Sequence, residues 1–124
     1  MSHKGKTQIT FLFTAAPGQV AEGERLFESH AAWMEKTHHP KGDLALLRYN
    51  VAKGPELSQP LDPSSAPTGR TCFALTEVYE SPAGVADHWK QGAESWPEFS
   101  DFLAWANEVE ICVLHGSPVI HSLW

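Results

Sequence analysis

The sequence predicts a single α+β domain, residues 1–124, built as a ferredoxin-like βαββαβ sandwich with a four-stranded antiparallel sheet. Three observations predict it. The chain has 124 residues and is 42% hydrophobic, enough for one domain with one core. Segments of period two and period 3.6 follow one another in the order β-α-β-β-α-β. The two middle strands read as apolar on both faces, so the sheet face away from the helices is expected to meet a second copy, closing two sheets into an α+β barrel.

The first strand is TQITFLFT, residues 7–14, with Ile9, Phe11 and Phe13 on one side and Gln8, Thr10 and Thr14 on the other. Pro17-Gly18 breaks it. Val20, Gly23, Phe27, Ala31 and Met34 then recur at three- and four-residue steps, predicting an amphipathic helix from near Gly18 to near Lys36 that Pro40 and Gly42 close. Residues 44–53 and 70–80 read as the second and third strands. The stretch between them, 54–69, carries Pro55, Pro60, Pro63 and Pro67 and is expected to be an irregular loop. Ser81-Pro82 opens a short second helix, Gly92 is expected to interrupt it, and Ser95-Trp96-Pro97-Glu98 reads as a new start. Residues 108–114 form the fourth strand, and the tail 115–124 carries Val119, Ile120, Leu123 and Trp124, which call for a surface to cover.

Lys+Arg 9 against Asp+Glu 15 gives a formal charge of −6, and the scattered cations do not make a phosphate-binding surface, so no nucleic-acid partner is expected. No run of about 18 apolar residues is present to span a bilayer. The basic N-terminus lacks the apolar stretch of a signal peptide, and Cys72 and Cys112 read as buried reduced thiols, which together suggest a cytoplasmic protein. Nucleotide-binding and serine-hydrolase motifs are absent. No Cys/His spacing suggests zinc; His38-His39 point in different directions and read as solvated, so no metal is expected.

The block Phe73-Ala74-Leu75-Thr76-Glu77-Val78-Tyr79-Glu80-Ser81-Pro82-Ala83-Gly84-Val85-Ala86-Asp87-His88 resembles the antibiotic-biosynthesis monooxygenase family. There too a strand ends in Glu-x-aromatic-acidic and a short helix leads through small residues to a histidine; the first strand passing through Pro17-Gly18 into a helix is also similar. The resemblance implies a homodimer of the dimeric α+β barrel superfamily, with a pocket in each subunit between helices and sheet. It further implies oxidation of a small electron-rich aromatic, such as a quinol or anthrone, by molecular oxygen without flavin, haem or metal.

Within that frame His88 is the candidate general base, since an imidazole titrates near neutral pH, though it could equally pack its helix against the strand. His30 lies near the sheet-facing stripe of the first helix and is the second catalytic candidate, with a satisfied core histidine as its other role. Trp33 and Trp89, each beside a candidate histidine, and Phe27 on the same helical stripe are candidate substrate-stacking residues among five tryptophans. Arg48 and Asn50 share a face of strand two and could donate to an oxyanion or pair across a dimer, with Glu77 or Glu80 as partners. Tyr79 is a candidate anchor for a phenolic substrate. Two other readings stand beside the monooxygenase: a non-catalytic dimeric domain binding a small hydrophobic ligand or a protein, and a haem-degrading oxygenase. The haem degraders of the superfamily carry a tryptophan where this chain has His88, and their first-strand asparagine has no counterpart here.

Overall fold

Alternation in β1 (Thr7–Ala15) sends Ile9, Phe11, Phe13 and Ala15 to one side, all buried, while Gln8, Thr10, Leu12 and Thr14 face the other way. The computed structural model describes residues 2–124. A 3₁₀ turn (Pro17–Gln19) leads from β1 into α1 (Val20–Thr37), followed by β2 (Leu46–Leu57), β3 (Pro67–Tyr79), α2 (Pro82–Ser95), α3 (Phe99–Glu108) and β4 (Glu110–Pro118). The strands form one antiparallel sheet in the order β2-β3-β1-β4. The result is an α+β architecture compatible with a ferredoxin-like fold, with three helices among the described residues, the third following the new start read at Ser95–Glu98.

The core lies between the helices and one sheet face and is mostly aromatic. Phe11 faces Leu75 and Phe13 faces Phe73 across the β1–β3 ladder. Phe13 packs against Trp105 of α3 with ring centroids 5.1 Å apart, and Phe27 of α1 meets the same indole edge-on at 5.8 Å. Such pairs contribute about 0.5–1.5 kcal/mol each beyond the area they bury. Trp105 Nε1 donates to the Gln19 carbonyl at 2.9 Å, so the buried indole keeps a hydrogen-bond partner.

Several boundaries differ from the sequence reading. The proline-rich segment is largely a hairpin: Pro55 pairs with Thr71 and Leu57 with Pro67, and only residues 58–66 are irregular. Pro55 is tolerated because β2 is an edge strand, where a missing N–H faces no neighbour, and Pro67 because it is the first residue of β3. Gly92 does not interrupt α2, which runs to Ser95. The Ser95 hydroxyl donates to the Gln91 carbonyl at 3.0 Å and accepts from Trp33 Nε1 at 3.0 Å, so it serves a buried indole and caps nothing. Ser81 does stand at the N-cap of α2, but its hydroxyl donates to the Asp43 carbonyl at 2.7 Å.

β4 continues through His115 to Pro118, shortening the expected tail to residues 119–124. Val119 exchanges two 2.9 Å backbone hydrogen bonds with Gly5 and Lys6, while Ile120, Leu123 and Trp124 are 70%, 74% and 88% exposed. The far sheet face is less apolar than expected. A β-bulge at Leu47 turns Leu46 toward the helices, and Val51 joins that same side opposite Leu75. The far face carries Arg48, Asn50, Ala52, Cys72, Ala74, Thr10 and Thr14 beside the buried Val78, with Leu12 and Leu114 as its large apolar side chains in the open. Both cysteines are free, Cys72 half-buried and Cys112 exposed, the latter against expectation because it too points to this face.

Gly23 marks the closest approach of α1 to α3. A methyl group there would lie 2.6 Å from Trp105 Cζ2, whose ring is held by Phe13, Phe27 and Phe73. Alanine is the better helix former, yet overpacking of this kind costs about 1–3 kcal/mol. Gly23→Ala is therefore expected to lower the urea-unfolding midpoint; an unchanged or raised midpoint would show that Trp105 swings away freely.

Candidate active site

A cavity opens between the helices and the sheet. Its apolar walls are the buried Phe11, Phe27, Leu75, Trp96 and Phe102; half-buried Trp89 and Phe99 form the outer rim, and Gly92 and Trp33 complete the side given by α1 and α2. The free volume is about 20 Å³, room for about one water, within a recess of about 400 Å³ counted out to solvent. A ring-sized ligand enters only by displacing rim side chains. One wall is polar, made of His30, Glu77 and His88.

Each of the three polar groups sits where its element requires burial. Phe73, Leu75, Glu77 and Tyr79 alternate along β3 toward the helices, so the Glu77 carboxyl occupies a core position and is 1% exposed. His30 lies on the buried stripe of α1 with Leu26, Phe27, Trp33 and Met34. His88 lies on the buried face of α2 between Gly84 and Gly92, four residues to either side, and these small residues bring the helix close to the sheet and to α1. Glu77 accepts a 2.5 Å hydrogen bond from the Tyr79 hydroxyl. His30 Nδ1 lies 2.7 Å from the Tyr49 hydroxyl, and the rings of His30 and His88 meet edge-to-face at 5.7 Å.

A hydrogen-bond chain assigns the tautomer of His88. Thr37 Oγ1 donates to the Trp33 carbonyl at 2.8 Å, which uses its only proton. His38 Nδ1, 2.8 Å from that hydroxyl oxygen, must therefore donate to it. A neutral His38 is left with a lone pair on Nε2, and His88 Nδ1 donates into it at 3.0 Å. His88 Nε2 consequently carries a bare lone pair and faces Glu77 Oε1 at 3.5 Å.

Burial governs the ionisation of this wall. It lowers His88 to about 3, helped by the nearby His30 and His38, and lowers His30 to about 4, helped by His38. Burial also lowers His38, opposed by Asp87. The Glu77 carboxyl is raised to about 7 by burial, against the Tyr79 hydrogen bond, which favours its charged form. Burial raises both tyrosine hydroxyls. The imidazoles are thus neutral at neutral pH, and the 3.5 Å contact between His88 and Glu77 is not an ion pair.

Of the residues singled out in the sequence, His30, His88, Phe27, Trp33 and Trp89 converge on the cavity. Tyr79 is fully buried beneath it and holds Glu77 in place of a substrate. Arg48 and Asn50 are exposed on the far sheet face and reach neither the cavity nor Glu77, and Glu80 pairs with Lys6 at 2.7 Å. His38, expected in solvent, is half-buried against His88, while His39 is exposed. The sequence reading missed Glu77, Tyr49 and Trp96 as site residues. The signal for Glu77 was present, because a glutamate in phase with Phe73, Leu75 and Tyr79 must point inward. Ligand atoms of His30, Glu77 and His88 lie within 4.8 Å of one another, a juxtaposition that spacing along the sequence does not reveal.

No protein family, curated protein or solved structure matches this chain significantly.

The shifts predict a stability maximum near neutral pH for chelator-treated protein. His30 and His88 bind protons in the unfolded chain below about 6.5 but resist them when folded, so stability falls as pH drops through 6.5 toward 4. Glu77 does the opposite: the folded carboxyl holds its proton to about 7 while the unfolded one releases it near 4.5, so its contribution declines as pH rises between those values. Thermal unfolding across pH 5–8 checks this, with Glu77→Gln expected to raise Tm at pH 8 relative to pH 5. A Glu77→Gln shift independent of pH would contradict it.

Proposed function

We propose that the protein is an oxygenase acting on a small electron-rich aromatic, a quinol or an anthrone-like ring. The observation that carries this reading is a chamber walled by aromatic side chains whose polar wall is the Glu77 carboxyl and the bare Nε2 of neutral His88. Aromatic walls accept a flat ring by stacking. The lone pair on His88 Nε2 accepts the proton of an acidic ring hydroxyl, and His38 and Thr37 hold that imidazole in the required tautomer. Resemblance of residues 73–88 to the antibiotic-biosynthesis monooxygenases supports the same chemistry.

The reaction closes without an external reductant. The deprotonated ring passes an electron to oxygen, a carbon–oxygen bond forms to give a hydroperoxide, and the oxygen–oxygen bond breaks as the substituted carbon loses its hydrogen as a proton. One oxygen atom stays as a carbonyl and the other leaves as water with two substrate hydrogens. A hydroquinone then becomes a hydroxyquinone and an anthrone an anthraquinone. Glu77 returns a proton to the departing oxygen.

Pairing of two copies through the far sheet face belongs to this proposal. Leu12 and Leu114 stand in the open there among small and threonine side chains, and the exposed Leu123 and Trp124 offer further apolar area. Light scattering is expected to give twice the chain mass.

Oxygen consumption by purified protein, measured against hydroquinones, naphthoquinols and anthrones, is expected to exceed the uncatalysed rate with one labelled atom from ¹⁸O₂ in each product. His88→Ala is expected to lower the rate by about 10²–10⁴-fold. Saturable binding of these rings without uptake would replace the oxygenase by a ligand-binding domain. A second variant probes the chamber itself: a methyl group on Gly92 meets Phe99 at 3.6 Å and Trp33 at 3.8 Å, ordinary contacts. Gly92→Ala is expected to stabilise the fold by about 0.5–1 kcal/mol while weakening aromatic binding; unchanged binding would place the ligand elsewhere.

A further inference from the structure

We propose that His30, Glu77 and His88 bind one divalent first-row transition ion, of the Fe(II) or Zn(II) class, with its remaining coordination positions facing the aromatic cavity. The three ligands come from α1, β3 and α2, each in the middle of a regular element, so the site is held by the fold and not by loops. Their ligand atoms lie within 4.8 Å of one another. With metal–ligand bonds of about 2.1 Å, the 3.5 Å separation of His88 Nε2 and Glu77 Oε1 corresponds to an angle of about 110°, close to tetrahedral.

The partners of each ligand fit the same assignment. Metal-bound imidazoles present one nitrogen to the ion and donate the other N–H to a neighbour that fixes the ring. His88 does so toward His38, which is anchored in turn by Thr37; His30 has Nδ1 on the Tyr49 hydroxyl, leaving Nε2 for the ion. Tyr79 orients the carboxyl. The chain of donors leaves two electron pairs, on His88 and on Glu77, directed at each other with no proton donor between them, and 3.5 Å is too long for a single shared proton to bridge well. Among the described residues no lysine or arginine lines the cavity, so the buried carboxylate finds its positive counter-charge in the ion. Two imidazoles and a carboxylate with open positions form the donor set of non-haem Fe(II) sites and of catalytic zinc sites.

This inference deepens the oxygenase reading and rests on it only for what occupies the open positions, a deprotonated ring oxygen. With the ion bound, His88 Nε2 and the Glu77 carboxylate are ligands and take no proton; the proton of the ring hydroxyl passes to a hydroxide on one of the open positions, which leaves as water as the ring oxygen takes its place. The charge of the ion then stabilises the ring oxyanion, and Fe(II) in addition supplies an electron path to oxygen.

The test titrates chelator-stripped full-length protein with Fe(II) under nitrogen and separately with Zn(II), reading tryptophan fluorescence, Tm and bound metal per chain. One ion per chain with a rise in Tm is expected, weakened at least about 100-fold in His30→Ala and His88→Ala and about 10–100-fold in His38→Ala. Circular dichroism verifies that the variants fold; should they not, X-ray absorption of the loaded wild type is expected to show two imidazoles and oxygen donors. Wild type that gains neither stability nor bound metal at large excess of both ions, or a bound ion without imidazole scattering, would overturn the site. Fe(II) binding without substrate-dependent oxygen uptake overturns the oxygenase reading alone, and undiminished uptake by stripped protein overturns the ion.

Discussion

Placing a carboxyl group in an aromatic interior is the constraint on which the rest of this site depends. Glu77 stands at a position of β3 that alternation assigns to the core, beside Leu75 and Tyr79, and burial alone would make its charged form costly. Four elements meet around it, and only Tyr79 offsets that cost directly. Tyr79 donates from the same strand, Tyr49 approaches from β2 because the bulge at Leu47 resets the strand's parity, and α1 and α2 each bring a histidine. Remove the carboxyl and the wall becomes an aromatic core with two neutral imidazoles.

The second element of the design is directional. A chain of hydrogen bonds beginning at the Trp33 carbonyl runs through Thr37 and His38 and ends by fixing which nitrogen of His88 is bare. The end of α1 therefore acts on α2: the cap of one helix sets the chemistry of a side chain on another. Small residues make the approach possible, since Gly84 and Gly92 flank His88 on the face that α2 turns toward the sheet and α1. A lone pair held in this way serves equally as a proton acceptor or as a metal ligand, which is why the acid–base and metal readings converge on the same atoms.

Much of the fold was legible in the sequence because period-two and period-3.6 patterns are imposed by burial, and burial is what the sheet and helices share. β1 and α1 follow from such patterns directly. The hairpin extension through Pro55 and Pro67 was not legible, since proline composition signals a loop unless the strand is known to lie at the sheet's edge. Nor was the reach of α2 past Gly92, which depends on packing against Phe99 and Trp33. In the site, His30 and His88 could be read from helical phase. Tyr49 could not, because a one-residue bulge has no clear pattern of its own, and His38 could not, because its partner lies fifty residues away in another helix.

The central claim is that the fold holds His88 neutral with its proton on Nδ1 and its electron pair on Nε2 toward Glu77. Nitrogen-15 NMR of the imidazole rings in metal-free protein at neutral pH measures this directly. The account predicts a protonated Nδ1 and a pyridine-like Nε2 shift for His88, with the pattern lost in Thr37→Val. A charged imidazolium, or a proton found on Nε2, would contradict it.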